Sequence, residues 1–252
     1  MDRFFGQVIF ITGAGGGIGG AVATRFHDEG ATVIMSDYSS DAAERVAAGL
    51  GTSRVRSMAM DVTRSAAVDA ALAAISDEFG GIDHLVNSAG VASIVPTVQV
   101  SDAEWRRVSA VNVDGTFYAS RAFARLAMAA GRHGSIVNLA SVAGLLAIPD
   151  RPAYITTKHA VVGMTREMAM EFGPSGIRVN AVAPGIIRTA MSQQHFDAPE
   201  TAERIRKAHS LGRGGEPSEV AAAIAFLCSS DASFITGAVL AVDGGYSAGK
   251  AW

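Results

Sequence analysis

The sequence contains a single cysteine, Cys228, among its 252 residues. A lone cysteine cannot form an internal disulfide, so we expect a cytoplasmic protein that is not stabilised by cross-links. It also cannot supply a thiolate cluster, and no two of the six histidines stand closer than 14 positions apart. No compact motif for a metal is therefore present, and we expect no metal ion in the functional site.

Clusters of basic charge and long apolar runs are missing as well. Lysine and arginine number 21 against 24 aspartates and glutamates, for a net charge of −3. A protein that binds nucleic acid without regard to sequence needs clustered basic residues. Glycine, serine, threonine and charged residues interrupt every apolar stretch before it reaches the ~18 residues that a membrane span requires. We expect neither nucleic acid nor membrane as a partner, which leaves small molecules.

Glycine is abundant, with 28 residues, and short runs rich in valine, isoleucine and leucine recur between longer alanine-rich stretches. Apolar runs without alternation are typical of parallel strands that are covered on both faces. The predicted strands are residues 7–12, 32–36, 55–60, 84–87, 135–139, 178–182 and 239–242. Helix-length segments separate them, so we predict an α/β fold with a doubly wound, seven-stranded parallel sheet and helices on both faces. One domain over residues 1–252 fits this length.

Two helix starts can be read from their capping residues. Ser101 followed by Glu104 forms a capping-box pattern ahead of a helix that we predict over residues 105–128. Pro217 suits the first turn of a helix, which we predict to run to Cys228.

Two predicted helices are unusually apolar, and one segment has no clear pattern. The stretches 116–130 and 152–172 are apolar around most of their circumference. Each is predicted to bury one side on the sheet and the other against a second subunit. The segment 186–215 shows little strand pattern and follows the sixth strand. A long insertion at that edge of an α/β sheet is typically functional, so we predict that it borders the substrate.

A glycine-rich turn at residues 13–19 follows the first predicted strand. Glycine permits positive φ and close approach of the backbone, so the N-terminus of the next helix can face a pyrophosphate with free N–H groups. Gly15, Gly17 and Gly20 match the GxGxxG spacing of dinucleotide-binding Rossmann folds. The alternative is a tight turn without a ligand.

An acidic residue ends the second predicted strand. Asp37 stands 18 residues after Gly19, close to the ~20 expected for the carboxylate that binds an adenosine ribose. Its carboxylate would accept hydrogen bonds from both ribose hydroxyls, and its negative charge would repel a 2′-phosphate. Neither its neighbours nor the glycine turn supply a lysine or arginine that would neutralise such a phosphate. We therefore predict NAD rather than NADP as the cofactor. The alternative for Asp37 is a helix cap or turn residue.

Tyr154 and Lys158 stand four residues apart in a segment of helical composition, so both side chains project from one helix face. A free tyrosine, with a pKa near 10, is a poor base at neutral pH. A neighbouring ammonium favours the phenolate, so the spacing predicts a lowered pKa for Tyr154 and a device for proton transfer. The alternative is an ordinary pair on a helix surface.

Several short motifs follow one another in order between residues 12 and 189. They are Thr12-Gly13-Ala14-Gly15-Gly16-Gly17-Ile18-Gly19, Asp61-Val62, Asn87-Ser88-Ala89-Gly90, Asn112, Ser141 placed 13 residues before Tyr154, Tyr154 with Lys158, and Pro184-Gly185 followed by Thr189. In this order and spacing the chain resembles the short-chain dehydrogenase/reductase family. Ser88 departs from the family pattern, which has a second asparagine there.

The resemblance implies a catalytic tetrad of Asn112, Ser141, Tyr154 and Lys158. Tyr154 would exchange a proton with the substrate while hydride passes between carbon and the nicotinamide. Ser141 would stabilise charge on the substrate oxygen. Lys158 would bind the nicotinamide ribose and lower the pKa of Tyr154, and Asn112 would position a water that carries protons from Lys158 to solvent.

The resemblance also implies which residues bind NAD, and it implies a homotetramer. The cofactor-binding residues are Gly13, Gly15, Gly17, Ile18, Gly19, Asp37, Asp61, Val62, Asn87, Ala89, Gly90, Tyr154, Lys158, Pro184, Gly185, Ile187 and Thr189. The first motif would face the pyrophosphate, Asp61-Val62 the adenine ring and the last motif the nicotinamide.

The residues that border the predicted substrate pocket are mostly apolar, which favours a hydrophobic or alicyclic substrate. Those predicted to contact it are Ile94, Val142, Ile148 and Met191. Arg188 or His195 are candidates to recognise a carboxylate, although the pattern favours a solvent-facing role for both.

We predict an NAD-dependent oxidoreductase that interconverts a secondary alcohol and a ketone. Two alternatives stay open. A 3-oxoacyl reductase of the acyl-carrier type would prefer NADPH, contrary to Asp37. A non-catalytic scaffold that binds NAD would have no use for the tetrad.

Overall fold

The computed structural model describes residues 2–51 and 53–249. In this part of the chain seven strands form one sheet: β1 (Val8–Thr12), β2 (Thr32–Asp37), β3 (Val55–Ala59), β4 (His84–Asn87), β5 (Gly134–Leu139), β6 (Ile177–Pro184) and β7 (Val239–Val242). Their order across the sheet is β3-β2-β1-β4-β5-β6-β7, and all neighbouring pairs are parallel. The predicted doubly wound parallel sheet in a single domain is confirmed.

Helices cover both faces of this sheet. Within the described residues they are α1 (Gly17–Asp28), α2 (Ser40–Leu50), α3 (Ser65–Phe79), α4 (Asp102–Ser109), α5 (Gly115–Ala129), α6 (Pro152–Phe172), α7 (Gln193–Asp197), α8 (Pro199–Ala208) and α9 (Pro217–Cys228). The helix predicted over Pro217–Cys228 is therefore present with the same bounds. Among the described residues, no helix combines the length and apolar character needed to span a membrane.

The sheet separates two apolar cores, and β1 contributes to both. Ile9 and Ile11 pack in one core with residues of α1 and α9, whereas Phe10 packs in the other with residues of α3, α5 and α6. Successive strand residues point to opposite faces, so a strand that is buried on both faces must be apolar at every position. This is why the strands appear in the sequence as continuous apolar runs.

The sheet order brings the ends of distant strands together. β1 lies between β2 and β4, so the chain leaves β1 towards one edge of the sheet and leaves β4 towards the other. Open α/β sheets bind ligands at the carboxyl ends of the strands at such a switch point. The glycine turn follows β1, Asp37 ends β2, Ser141 follows β5, and Gly185 follows β6, so all four lie at this edge.

The helix predicted over residues 105–128 is interrupted. α4 ends at Ser109, a π-helical turn spans Ala110–Asp114, and α5 begins at Gly115. The predicted cap is present, because the Ser101 side chain accepts a hydrogen bond from the backbone N–H of Glu104 at 3.1 Å. Single π-helical turns inside helices occur frequently at functional sites, and Asn112 lies in the middle of this one.

The segment 186–215, which shows little strand pattern in the sequence, contains the two short helices α7 and α8. Its ends are joined by an isolated parallel bridge between Ile187 and Gly215. The backbone N–H of Arg188 donates to the Gly215 carbonyl at 2.8 Å, and that of Gly215 donates to the Ile186 carbonyl at 3.0 Å. The insertion therefore leaves the sheet and returns to it at one place.

Candidate active site

The turn between β1 and α1 is crowded in a way that requires glycine. Gly13 adopts a φ of +67°, and a Cβ there would lie 2.6 Å from the Cα of Ala89. A Cβ on Gly19 would lie 2.1 Å from the carbonyl oxygen of Gly13. Both distances are far below van der Waals contact, so only glycine allows α1 to begin this close to the chain that follows β4.

The N-terminus of α1 is open where an anion would bind. The helix begins after Gly16, and no side chain caps it. A Cβ on Gly16 would meet no atom of the described residues within 4 Å, whereas one on Gly17 would lie 3.4 Å from the Thr189 side chain. Uncapped N–H groups and the helix dipole favour negative charge. The residues therefore fit the pyrophosphate of a dinucleotide, with Ile18 and Gly19 in the same first turn.

The Asp37 carboxylate ties the glycine turn to the end of β2. One carboxylate oxygen accepts a hydrogen bond from the backbone N–H of Gly15 at 2.9 Å, and the other accepts from that of Ser39 at 3.0 Å. The turn role that the sequence left as an alternative is thus present. Two carboxylate oxygens offer about four lone-pair sites, so capacity remains for ribose hydroxyls.

Asp61 and Val62 follow β3 at the same edge of the sheet. The Asp61 carboxylate accepts hydrogen bonds from the backbone N–H and the hydroxyl of Thr63, at 2.9 and 2.7 Å. Val62 is buried, and a Cβ on Gly115 would lie 2.7 Å from its Cγ2. The pair is therefore held rigidly beside the start of α5, where an adenine ring is predicted.

The segment after β4 divides between core and site. Asn87 is buried, and its amide donates to Ser120 Oγ at 2.9 Å and to Asn138 Oδ1 at 2.8 Å. The side-chain oxygen of Asn87 is buried and has no hydrogen-bond partner among the described residues, and its contact with a cofactor stays a prediction. Ala89 donates its backbone N–H to Thr12 Oγ1 at 3.2 Å, so the segment is fastened to β1.

The chain that follows β6 reaches back over the glycine turn. Pro184 ends β6, and a Cβ on Gly185 would lie 2.9 Å from His209 Nε2. Ile187 is buried and takes part in the bridge to Gly215. No hydrogen bond joins Thr189 to the described atoms of the glycine turn. The methyl carbon of Thr189 is nevertheless the atom nearest to a Cβ built on Gly17. The predicted nicotinamide motif therefore lies beside the predicted pyrophosphate site.

Tyr154 lies in the first turn of α6 and is hydrogen-bonded to Ser141. Burial raises the pKa of Tyr154, while the hydrogen bond from Ser141 and the charge of Arg151 act in the opposite direction. The predicted lowering of this pKa is therefore wrong for the protein on its own. Desolvation penalises a buried phenolate, and it outweighs the groups that favour the charged form.

Lys158 lies on the same face of α6 and is buried. Its ammonium donates to the Leu139 carbonyl oxygen at 2.7 Å and lies 5.7 Å from the centre of the Tyr154 ring. Burial lowers the pKa of Lys158 to about 8. The ammonium is thus held by the end of β5 rather than by the phenol, which is why its charge does not lower the pKa of Tyr154 as the spacing predicted.

Asn112 joins three parts of the site. Its side-chain oxygen accepts from the Val91 N–H at 2.8 Å, and its amide donates to the Val91 carbonyl at 3.0 Å and to Thr157 Oγ1 at 3.1 Å. A Cβ on Gly90 would lie 3.4 Å from Asn112 Oδ1 and 3.7 Å from Lys158 Nζ. Asn112 and Lys158 therefore approach the same glycine. Val91 and Thr157 were not predicted, because neither belongs to a motif.

The predicted substrate contacts come from segments that the structure brings together in part. Val95 donates its backbone N–H to the Asp150 carbonyl at 2.8 Å, which joins the segment that carries Ile94 to the one that carries Val142 and Ile148. Val142 is buried, whereas Ile94 is half exposed. Met191 is 61% exposed, so its contact with a substrate remains a prediction.

The fold and the site together define a dinucleotide-binding enzyme of the α/β class. The family model described as enoyl-(acyl carrier protein) reductase matches residues 13–247. Curated relatives share about two fifths of their residues with this chain over nearly its whole length. The chain belongs to the short-chain dehydrogenase/reductase family.

Three relatives illustrate the range of the family. Galactitol 2-dehydrogenase (L-tagatose-forming) of Cereibacter sphaeroides is 44% identical, over 97% of this chain and 96% of its own length. Meso-2,3-butanediol dehydrogenase of Serratia marcescens is 41% identical, over 98% and 96%. The solved structure of a 4-hydroxyisoleucine dehydrogenase complexed with NADH is 36% identical and superposes with a TM-score of 0.91, over 97% of this chain and 100% of that one.

Proposed function

We propose that the protein is an NAD-dependent oxidoreductase that interconverts a secondary alcohol and a ketone. The observation that carries the proposal is the convergence of Ser141, Tyr154, Lys158 and Asn112 at the carboxyl edge of the sheet, next to an uncapped helix N-terminus. Relatives at about 40% identity are named as dehydrogenases of galactitol and of 2,3-butanediol. Both names describe small alcohols as substrates, which supports the reaction class.

The residues present fit a nicotinamide dinucleotide. The first turn of α1 would hold the pyrophosphate, Asp37 the adenosine ribose, and Asp61 with Val62 the adenine ring. Ala89 and Gly90 would lie along the cofactor, and the chain over Pro184–Thr189 would orient the nicotinamide carboxamide. When bound, the cofactor supplies the acceptor or donor of hydride.

Asp37 favours NAD over NADP. Its carboxylate already accepts two backbone hydrogen bonds, so it is fixed in place with its negative charge towards the ribose site. A 2′-phosphate would be repelled there, and the neighbouring residues Ser36 and Tyr38 supply no cation. A NADH-containing relative supports the nicotinamide cofactor, and Asp37 supports the choice of NAD.

Tyr154 would act as the general acid and base. In reduction its hydroxyl would donate a proton to the carbonyl oxygen, and in oxidation its phenolate would accept the proton from the alcohol. Ser141, already hydrogen-bonded to Tyr154, would bind the same substrate oxygen and stabilise its charge. Lys158 would bind the nicotinamide ribose, and Asn112 would hold a water that passes protons from Lys158 to solvent.

The substrate is proposed to have an apolar body, because the contacts assigned to it are Ile94, Val142, Ile148 and Met191. The insertion 186–215 would close over it, since both ends of the insertion are anchored at the Ile187 to Gly215 bridge. We propose the whole of residues 1–252 as one catalytic domain of this kind.

The proposal includes a homotetramer in the cytoplasm. Apolar side chains on α5 and α6 remain exposed, among them Phe117 at 40% and Met170 at 81%, and such faces are typical of subunit contacts. The only cysteine, Cys228, is buried, which suits a reducing compartment. Sedimentation that gives a stable monomer would contradict the tetramer without touching the reaction.

Replacing Tyr154 with phenylalanine tests the reaction. Removal of the phenol oxygen should lower kcat by about 10²- to 10⁴-fold, the usual contribution of a general acid or base, while NADH affinity, measured by fluorescence titration, stays within a few-fold. Full activity of Tyr154→Phe on secondary alcohols would remove the assigned role. NADH binding without turnover of any alcohol or ketone by the unaltered protein would favour the scaffold alternative.

A further inference from the structure

One arginine near Tyr154 is half-buried, and its side chain has no partner in the described part of the chain. In residues 2–51 and 53–249, the side chains of six arginines make no hydrogen bond, ion pair or ring contact: Arg45, Arg64, Arg125, Arg151, Arg166 and Arg204. Five of them are exposed, and Arg151 alone is half-buried. Its guanidinium keeps hydrogen-bond donors that no described group of the protein uses.

Arg151 stands where two segments of the site meet. It directly precedes α6, three residues before Tyr154, and its carbonyl accepts the N–H of Ile155 at 2.9 Å. The preceding Asp150 has a φ of 61°, a positive value that no other described residue except glycine adopts. The Asp150 carbonyl accepts the N–H of Val95 at 2.8 Å. The backbone that carries Arg151 is thus fixed against the segment that carries Ile94.

The charge of Arg151 reaches the reacting group. It opposes the effect of burial on the pKa of Tyr154, together with the hydrogen bond from Ser141. Coulomb interactions weaken with distance and are screened by solvent. Arg151 stands three residues before Tyr154 at the start of α6, so its positive charge acts on the residue that is proposed to exchange a proton with the substrate.

The other cations of the site are already engaged. Arg188 lies 3.4 Å from Glu216 and 4.2 Å from the centre of the Phe196 ring. Lys158 donates to the Leu139 carbonyl oxygen. Lys158 is also proposed to bind the cofactor ribose, so among these three cations Arg151 is the one whose side chain has no hydrogen bond, ion pair or ring contact in the described residues.

We propose that Arg151 binds an oxyanion on the substrate, so that the preferred substrate is a secondary alcohol or ketone that also carries a carboxylate or a chemically similar group. A guanidinium presents planar, paired donors that match a carboxylate. The apolar residues assigned to the pocket would contact the carbon chain between the two polar ends. This inference rests on the proposed oxidoreductase function and adds the class of substrate to it.

The test compares acids with their methyl esters. Matched pairs of 2-, 3- and 4-hydroxy acids and their methyl esters would be oxidised with NAD, together with a neutral secondary alcohol and the sulfonate analogue of the best acid. The unaltered protein should prefer one acid over its ester by about 10- to 100-fold in kcat/KM, as a charge-assisted hydrogen bond contributes. Turnover of the sulfonate would extend the site to oxyanions in general, and its failure would restrict the site to carboxylates.

Three variants assign that preference to Arg151. Arg151→Gln should lose it, mainly through KM for the acid, and Arg151→Lys should recover part of it because the charge remains without the planar fork. Arg166→Gln is the matched control, since Arg166 is an exposed arginine on α6, the helix that Arg151 precedes, and its side chain has no partner among the described residues. This variant should keep the full preference.

Each outcome separates this inference from the proposed function. Turnover of neutral alcohols and esters without any preference for an acid would overturn the role of Arg151 and leave the oxidoreductase intact. An equal loss on acid and ester in Arg151→Gln would also overturn it, because recognition of charge predicts an unequal loss. No turnover of any compound would instead refute the proposed function.

Discussion

The buried ammonium of Lys158 should make the protein less stable at neutral pH than it is at alkaline pH. Burial lowers the pKa of Lys158 to about 8 in the folded protein, against 10.5 for a free lysine. Between these two pH values the unfolded chain holds a proton that the folded chain has lost. The free energy of unfolding therefore rises with pH across this window, by about 1.4 kcal/mol for each pH unit and about 3 kcal/mol in all.

Replacing Lys158 with methionine isolates this effect. The variant has no group to titrate at this position, so its unfolding free energy lacks the rise with pH that the unaltered protein shows. The unfolding free energy of the variant minus that of the unaltered protein should therefore fall by about 3 kcal/mol from pH 8 to pH 10.5. The lost hydrogen bond to Leu139 adds an offset that does not depend on this titration. Urea unfolding followed by circular dichroism, at one fixed protein concentration, measures the difference.

The control is Lys207→Met. Lys207 lies on α8 with 71% of its side chain exposed, near Glu203, so removing it should leave the pH dependence unchanged. A flat difference for Lys158→Met, like that of the control, would refute the reasoning, because it would show that the folded protein holds the ammonium at no cost. The same Lys158→Met protein should lose turnover. That result would show that a residue needed for activity also lowers the stability of the fold.

Three further outcomes are expected. Asp37→Ala should weaken NAD binding at least about tenfold, measured by cofactor titration. It should also reduce the ratio of NAD affinity to NADP affinity, since it removes a fixed charge that would repel a 2′-phosphate. Gly13→Ala should destabilise the protein and abolish NADH binding, because the new Cβ would lie 2.6 Å from Ala89. Gly163 lies in a helix, and a Cβ there would meet no described atom within 4 Å. Gly163→Ala should therefore stabilise the protein by about 0.5–1 kcal/mol in thermal unfolding. Burial lowers the pKa of His84 to about 4 from 6.5, so the protein should lose up to about 3 kcal/mol as pH falls through this window, and His84→Gln should flatten that loss in acid titrations.

The strands could be predicted from the sequence because burial on both faces leaves a direct trace in it. β4 and β7 have the bounds that the apolar runs predicted, and the others differ by no more than two residues at either end. Parallel order followed from the helix-length segments between them. The order of motifs also predicted that Ser141 and Tyr154 would meet, and the two side chains are hydrogen-bonded.

The π-helical turn at Ala110–Asp114 left no such trace. A hydrophobic pattern reports which residues are buried, and the pattern continues through the turn because the chain stays helical there. The turn is recognisable from its backbone bond, in which the N–H of Gly115 donates to the Ala110 carbonyl. The Asn112 side chain in this turn bonds to Val91 and Thr157. Both partners are distant from Asn112 in sequence, so no local spacing contains them.

The helices of the segment 186–215 were not predicted for a different reason. α8 spans ten residues, and Ile205 is the only one of them that is buried. So short a helix with one buried residue gives only a brief apolar pattern. α7 spans five residues, which is too short for any period. The ordering of this segment comes from the bridge at its base, between Ile187 and Gly215.

The electrostatics of the tyrosine and lysine pair could not be predicted from their spacing, because burial acts on the two groups in opposite directions. It raises the pKa of Tyr154 and lowers that of Lys158, so both groups move towards their neutral forms. The charged pair of Tyr154 phenolate and Lys158 ammonium is thus harder to form in the protein than the pKa values of a free tyrosine and a free lysine would suggest. The charge of Arg151 favours the phenolate, but burial outweighs it and the pKa of Tyr154 stays raised. Helical spacing brings the two groups to one face, whereas burial by the surrounding elements sets the direction in which both pKa values move.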